Sequence, residues 1–164
     1  MIRKTMLVAA VAVLAVPAMA SAQATGTITA TATVADYIDL SGTDDLAFGT
    51  LDRAADNTVS AIDGSATRDV AFNRNVEVTF SNVPSQLVGT VSGNNLAVTL
   101  TCAYEIGGSW STPETCGTNP FDLDVGASVT TATLGFGGTV TGAAAANAVA
   151  DEYRATMDIR VDAR

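Results

Sequence analysis

The chain lacks histidine altogether, and it has one lysine, two cysteines, one tryptophan and 5% aromatic residues. Without histidine, a Ser-His-Asp triad, histidine acid–base catalysis and the usual zinc sites are excluded. No phosphate-cradling glycine motif is present. Carboxylates are plentiful, but they fall at turn positions or on the polar side of strand patterns. We therefore expect neither an enzyme nor a cofactor.

Positive charge is also scarce, because 17 acidic residues face 8 basic ones and the net charge is −9. Such a balance argues against nucleic acid or an anionic membrane as a partner. It is typical of a solvated acidic surface, and it suits divalent cations.

The N-terminus has the pattern of a secretory signal peptide. Arg3 and Lys4 precede an apolar run at 6–17, which leads into the small-residue string Ala18–Ala22. This run is shorter than the about 20 residues that span a membrane, and no second one follows. We expect residues 1–22 to be removed and residues 23–164 to form one secreted, periplasmic or cell-surface domain without a transmembrane segment.

Short stretches of alternating apolar and polar residues fill the remainder of the chain. The clearest are 76–81, 96–102 and 153–161, and weaker ones are 37–40, 46–51, 70–72, 87–92, 121–125, 129–136 and 139–140. Turns are expected at 92–95, 107–108, 119–120 and 137–138, and the first of these should close a hairpin. The alanine-rich stretch 142–150 favours a loop or a single helical turn. Many short strands with glycine-rich turns predict an all-β, immunoglobulin-like antiparallel β-sandwich.

The two cysteines, Cys102 and Cys116, are expected to form a disulfide. An even, small number of cysteines in an exported protein indicates a disulfide, and histidine is absent as a companion metal ligand. The loop of about 15 residues that it closes corresponds to roughly 3 kcal/mol of stabilisation.

Residues 26–35 alternate strictly and follow shortly after the expected cleavage site. Ile28, Ala30, Ala32 and Val34 share one face, and threonines occupy the other. A strand at a free terminus can pair within its own domain or complete a neighbour's sheet. The four apolar residues are therefore a candidate donor strand, with pairing inside the domain as the alternative.

Both ends of the expected mature chain resemble a secreted bacterial domain family of unknown function. The opening is Ala30-Thr-Ala-Thr-Val34 followed by Leu40-Ser-Gly-Thr-Asp-Asp-Leu-Ala-Phe-Gly-Thr-Leu51. The closing part is Leu134-Gly-Phe-Gly-Gly-Thr-Val140 and Tyr153-Arg-Ala-Thr-Met-Asp-Ile-Arg-Val161. These segments also look like the pilin-like and spore-coat-protein-U-like sandwiches. The resemblance implies an exported immunoglobulin-like sandwich, which some relatives build into surface fibres by strand donation.

Two functions remain open at this point. The first is an exported structural subunit of a cell-surface fibre, coat or matrix that assembles by N-terminal strand donation, with further copies or other surface proteins as partners. The second is a secreted adhesin or carbohydrate-binding module that depends on calcium. Its candidate ligands are Asp44, Asp45, Asp122, Asp124, Asp151 and Glu152, with the aromatic residues Tyr104 and Trp110 near the cysteine-closed loop. Turn, outer-face and packing roles suit these residues better, so we predict no metal site and name no small-molecule ligand.

Overall fold

The computed structural model describes residues 29, 31–126 and 130–164. The expected signal peptide at 1–22 and the donor-strand residues Ile28 and Ala30 lie outside the described residues. In chain order the described strands are β1 (Ile38–Ser41), β2 (Asn57–Val59), β3 (Thr67–Phe72), β4 (Val76–Ser81), β5 (Gln86–Gly89), β6 (Asn95–Ala97), β7 (Thr99–Ile106), β8 (Ser109–Trp110), β9 (Glu114–Thr115), β10 (Phe121–Leu123), β11 (Thr130–Val140), β12 (Tyr153–Arg154) and β13 (Asp158–Ala163), with helix α1 (Gly142–Asn147) between β11 and β12.

The strands form one large sheet and two small ones, and all the observed pairings are antiparallel. The large sheet has the order β1-β3-β11-β7-β8, with β2 also paired to β11 and β9 to β7. The small sheets have the orders β10-β4-β13 and β12-β5-β6. The predicted all-β antiparallel sandwich is confirmed.

The core lies between the large sheet and the sheet that contains β4. Alternate residues of β4 are buried, and Phe80 at its end makes edge-to-face contacts with two other rings. The ring centroids are 5.2 Å from Phe121 of β10 and 6.1 Å from Phe136 of β11. The contact with Phe136 joins the two sheets, and ring pairs at these separations add specificity to the burial of apolar area.

The disulfide between Cys102 and Cys116 is confirmed. It links β7 to the turn that follows β9, and both cysteines are buried in the main core. The sequence prediction was based on composition and export, and the fold places Cys102 within β7 of the large sheet, opposite Phe136 of β11.

The predicted β5–β6 hairpin is present, and the turn predicted at 107–108 joins β7 to β8 in a second hairpin. Gly93 has φ +67° in the β5–β6 turn, and Gly107 and Gly108 have φ +63° and +83° between β7 and β8. Two successive residues with positive φ match the right-handed twist of the strands that they join, and glycine adopts this conformation without steric cost.

The turn predicted at Gly137-Gly138 is wrong, because β11 runs unbroken through it from Thr130 to Val140. These glycines serve close backbone approach instead. A Cβ on Gly137 would overlap the backbone of Val59 and Ala61, and one on Gly138 would lie 2.7 Å from the carbonyl oxygen of Thr99. Glycine within a strand often marks such a crossing of chains.

The closing stretch 153–161 keeps its predicted alternation but is not one strand. β12 pairs with β5, residues 155–157 carry no strand, and β13 pairs with β4. Ala155, expected on the buried face, is exposed because it lies in this break.

The predicted strands at 26–35 and 46–51 differ from the structure where they are described. Residues 31–35 and 46–51 are assigned to no strand, and residues 31–35 are exposed. The stretch 142–150 contains the short helix α1, slightly more than the expected loop or single turn. Thr141 caps it, since its hydroxyl accepts a hydrogen bond from the Ala144 N–H at 3.2 Å.

Candidate functional site

An open groove of about 1100 Å³ runs along the sandwich within residues 44–159. One wall is the irregular segment 44–51, and the other is the segment 148–159 that contains β12 and the start of β13. Between the walls, Leu96, Leu100 and Phe136 form the floor and belong to the main core. These floor residues are themselves buried, and the partly exposed apolar surface of the groove comes from its walls.

The side chains that line the walls are largely apolar and only partly buried. They include Leu46, Phe48, Leu51, Leu87, Tyr153, Met157 and Ile159, all packed against the core from one side. Partly exposed hydrophobic side chains that share one concave surface are typical of a binding groove, whereas single exposed ones are normal on any protein.

Unpaired backbone borders this groove. Among the described strands, β13 pairs only with β4 and β12 pairs only with β5, so each has a free edge. The opposite wall, residues 46–51, is assigned to no strand. A free strand edge presents a row of unpaired N–H and C=O groups that an added extended segment can pair with.

The register along β11 gives the direction of the groove. Arg68 on the groove lining is paired with Leu134, whereas Gly138, beside Phe48, lies four residues further along β11. Arg53 lies further still, where its guanidinium donates to the carbonyl oxygens of Ala146 at 2.5 Å and Ala148 at 3.2 Å. The groove therefore extends from the middle of the sandwich towards the end that carries α1.

Arg68 holds the inner end of the groove wall formed by residues 44–51. Its guanidinium donates to the carbonyl oxygen of Asp44 and lies 3.4 Å from the Asp45 carboxylate. These hydrogen bonds hold the segment before Leu46 against β3 and so help to keep the groove open on that side.

Asp151 fastens the second wall to the β5–β6 hairpin. Its carboxylate accepts hydrogen bonds from the Ser92 N–H at 2.7 Å, the Ser92 hydroxyl at 2.6 Å and the Val91 N–H at 3.2 Å. Gly89 leaves room for this contact, since a Cβ there would lie 2.5 Å from the carboxylate. The sequence suggested a turn position or a candidate calcium ligand at Asp151 and not this contact, because no local pattern links Asp151 to a loop about 60 residues away.

The hydrogen bond from the Ser92 hydroxyl, followed by the one from the Ser92 N–H, lowers the pKa of Asp151 far below its ordinary value of 3.8. A depressed folded-state pKa stabilises the folded protein above the ordinary value, and this contribution disappears as the pH falls through the lower one. We expect Asp151→Asn to be less stable than the wild type at pH 7, with the difference narrowing below about pH 3.8. Urea unfolding of both proteins between pH 2.5 and 7 measures this, with the exposed Asp39→Asn as control. A difference independent of pH would contradict it.

The chain enters the folded domain at the end opposite α1. The side chain of Asn73 accepts a hydrogen bond from the Tyr37 N–H at 2.8 Å and donates one to the carbonyl oxygen of Ala35 at 2.8 Å. Arg74 pairs with Asp36 at 2.6 Å. Of the predicted donor residues, Ala32 and Val34 are described; both are exposed and in no strand, with Val34 83% exposed.

The residues predicted for the alternative binding module are not brought together. Trp110 packs on the large sheet, where its ring would be 2.7 Å from a Cβ on Gly135. Asp122 lies in β10 of a different sheet and pairs with Arg164 at 2.8 Å. Within 31–126 and 130–164, no three Cys, Asp or Glu side chains are grouped to hold a metal ion. Trp110 thus has the packing role that the sequence favoured, on the sheet and not over the disulfide.

The groove is the feature that sequence reasoning missed. Residues 46–51 and 153–159 were interpreted as ordinary strand positions, and no local sequence pattern shows that these two segments face each other across a groove. In the part of the chain that the structure describes, no helix has the length and apolar character needed to cross a membrane.

Neither protein-family models nor curated protein sequences match this chain. A chain in the solved structure described as "Chaperone-tip adhesin complex is vital for synergistic activation of CFA/I fimbriae biogenesis" is similar in fold, with a TM-score of 0.47 and 16% sequence identity. The similarity covers 79% of this chain but 41% of that one, so this chain spans less than half of its length. A likeness of this size does not establish a shared function.

Proposed function

We propose that the protein is an exported structural subunit of a cell-surface fibre, coat or matrix, in which the N-terminal segment of one copy fills the groove of another. The groove carries this proposal, because it joins partly exposed apolar walls to free strand edges. A protein that kept such a groove empty would expose apolar surface to water, which favours filling it with an apolar segment.

The sequence of the N-terminal segment suits this role. Residues 22–35 contain no charged side chain, although 15% of the whole chain is charged. Ile28, Ala30, Ala32 and Val34 alternate with threonines, so an extended segment presents one apolar face and one polar face. The apolar face can contact the groove floor while the threonines face solvent.

Length also fits. Eight extended residues, 27–34, span roughly 26 Å, and the groove wall at 44–51 consists of eight residues. Free edges at β12 and β13 can supply the backbone partners that a single extended segment requires. The added strand would thus replace exposed edges and exposed apolar surface in a single step.

The proposal is tested by assembly of the chain that begins at residue 23. We expect negative-stain electron microscopy and light scattering to show polymers for residues 23–164 and none for residues 36–164. Ala32→Asp should abolish polymers because it places a carboxylate on the apolar face, whereas the matched Thr33→Asp should retain them because it points the other way.

Two results would contradict the proposal. One is polymer formation by residues 36–164, and the other is equal assembly of Ala32→Asp and Thr33→Asp. A synthetic peptide of residues 23–35 provides a second readout. It should bind the 36–164 protein, and binding should be lost when Ile159 in the groove wall is replaced by Asp.

A further inference from the structure

The end of the domain where the chain enters lies directly beside the segment that is donated. We propose that this end, formed by Asp36, Tyr37, Asn73 and Arg74, is the second half of the contact between subunits and packs against the outer mouth of the next copy's groove. This inference rests on the proposed function, and it names a surface that the strand exchange alone does not require.

No free linker separates the donated segment from the domain. The alternating segment ends at Val34, and the next three residues are already held. The Asn73 side chain forms hydrogen bonds with the backbone of Ala35 and Tyr37. The Asn73 backbone N–H donates a further one to the carbonyl oxygen of Tyr37 at 3.2 Å. A donor inserted up to Val34 therefore brings its own domain against the acceptor.

The acceptor that uses all of the alternating segment is a second copy. The entry point lies beside Asn73, just after β3, and the part of the groove lining on β3 is Arg68, five residues away. That separation is roughly 17 Å, about the length of residues 30–35 in extended form. A return to its own groove along β3 would leave Ala30, Ala32 and Val34 outside the groove, whereas a second copy's groove can receive them.

The donor enters through the outer mouth of the groove. Beyond the inner end, β1 approaches β13, and Arg74 binds both Asp36 and the carbonyl oxygen of Arg164, the latter at 2.7 Å. The outer end lies beyond Phe48, at Arg53, Glu152 and Arg154. The entry end of one copy therefore meets the outer mouth of the next in a head-to-tail contact, the kind that builds a filament when the rotation between copies does not close a ring.

The polar groups on the two surfaces support this contact. At the entry end, the partly exposed Arg74 guanidinium pairs with the exposed Asp36 carboxylate at 2.6 Å. At the mouth, the exposed Glu152 carboxylate lies 2.6 Å from the exposed Arg154 guanidinium. Each surface thus presents one acid and one arginine to the other.

Site-specific photo-crosslinking in assembled polymers tests the inference. Tyr37 is replaced by p-benzoylphenylalanine, a conservative change at a side chain that is 46% exposed. We expect crosslinks to residues 51–56 and 151–154 of a second, isotopically labelled copy, identified by mass spectrometry. The same photoreactive residue at Ile62, 42% exposed on another face, is the control and should give no crosslink to these residues.

A second measurement separates this inference from the proposed function. Arg74→Glu should reduce polymer formation at least tenfold while the 36–164 form of the same variant binds the 23–35 peptide with unchanged affinity. If the peptide binds and Arg74→Glu assembles like the wild type, or if the Tyr37 crosslinks fall elsewhere, the end-to-end contact is wrong and the donated strand remains. If the peptide does not bind the wild-type groove, both proposals fail.

Discussion

Gly137→Val is expected to destabilise the protein by about 3 kcal/mol or more, the upper part of the range for overpacking. A Cβ at Gly137 would overlap backbone atoms of Val59 and Ala61 and lie 2.7 Å from the carbonyl carbon of Ser60. These backbone atoms cannot change position by a rotamer change, as the end of a flexible side chain can. Residues 59–61 must therefore move, and the pairing of β2 with β11 must be lost. Thermal unfolding should show a decrease in Tm on the order of 10 °C.

The matched control is Gly126→Ala. The nearest atom to a Cβ at Gly126 is the Thr130 hydroxyl oxygen at 3.5 Å, which is ordinary van der Waals contact. This change should shift the stability by no more than about 0.5 kcal/mol. Equal Tm values for Gly137→Val and the wild type would show that residues 59–61 do not cross β11 as closely as the structure has them.

The same glycine shows where sequence reasoning reaches its limit. A Gly-Gly pair between two apolar runs predicts a turn, because glycine is favoured wherever φ must be positive. At 107–108 that prediction is correct, and at 137–138 it is wrong. Local sequence does not distinguish the two cases, since the reason for glycine at 137 is a chain segment almost 80 residues earlier.

Alternation was the more reliable signal. It predicted the buried faces of β4 and of the stretch 96–102, because successive side chains of a strand point to opposite faces of the sheet. It also predicted the faces of β12 and β13. It did not predict the break between them at 155–157, where the chain leaves β5 for β4. The choice of pairing partner depends on tertiary packing, and the alternation of side chains carries no information about that choice.

The groove was beyond sequence reasoning for the same reason. Its floor and walls come from residues as far apart as 44 and 159, brought together by two sheets and held by long-range contacts such as that of Asp151 with Ser92. The candidate donor strand, in contrast, is a local pattern and was visible in the sequence. It remains a prediction, because Ile28 and Ala30 lie outside the described residues.

Loss of the disulfide is expected to destabilise the protein by about 3 kcal/mol, the chain-entropy value for a loop of this length. Cys102 and Cys116 are separated by 14 positions, and no other cysteine is present to form an alternative pair. The double variant Cys102→Ala and Cys116→Ala should therefore unfold at a lower urea concentration than the oxidised wild type. Reductant should shift the wild type towards the variant and leave the variant unchanged, which is the internal control.

The effect should extend to the groove, because Cys116 contributes to its lining. The Cys116 N–H also donates a hydrogen bond to the carbonyl oxygen of Leu100, a floor residue, at 3.1 Å. When the bond is removed, the turn after β9 is no longer tethered covalently to β7, and part of the floor loses a fixed neighbour. We expect weaker binding of the 23–35 peptide to the double variant of residues 36–164 under conditions where it is still folded. Unchanged peptide affinity together with the lower stability would limit the disulfide to a role in folding and separate it from the assembly surface.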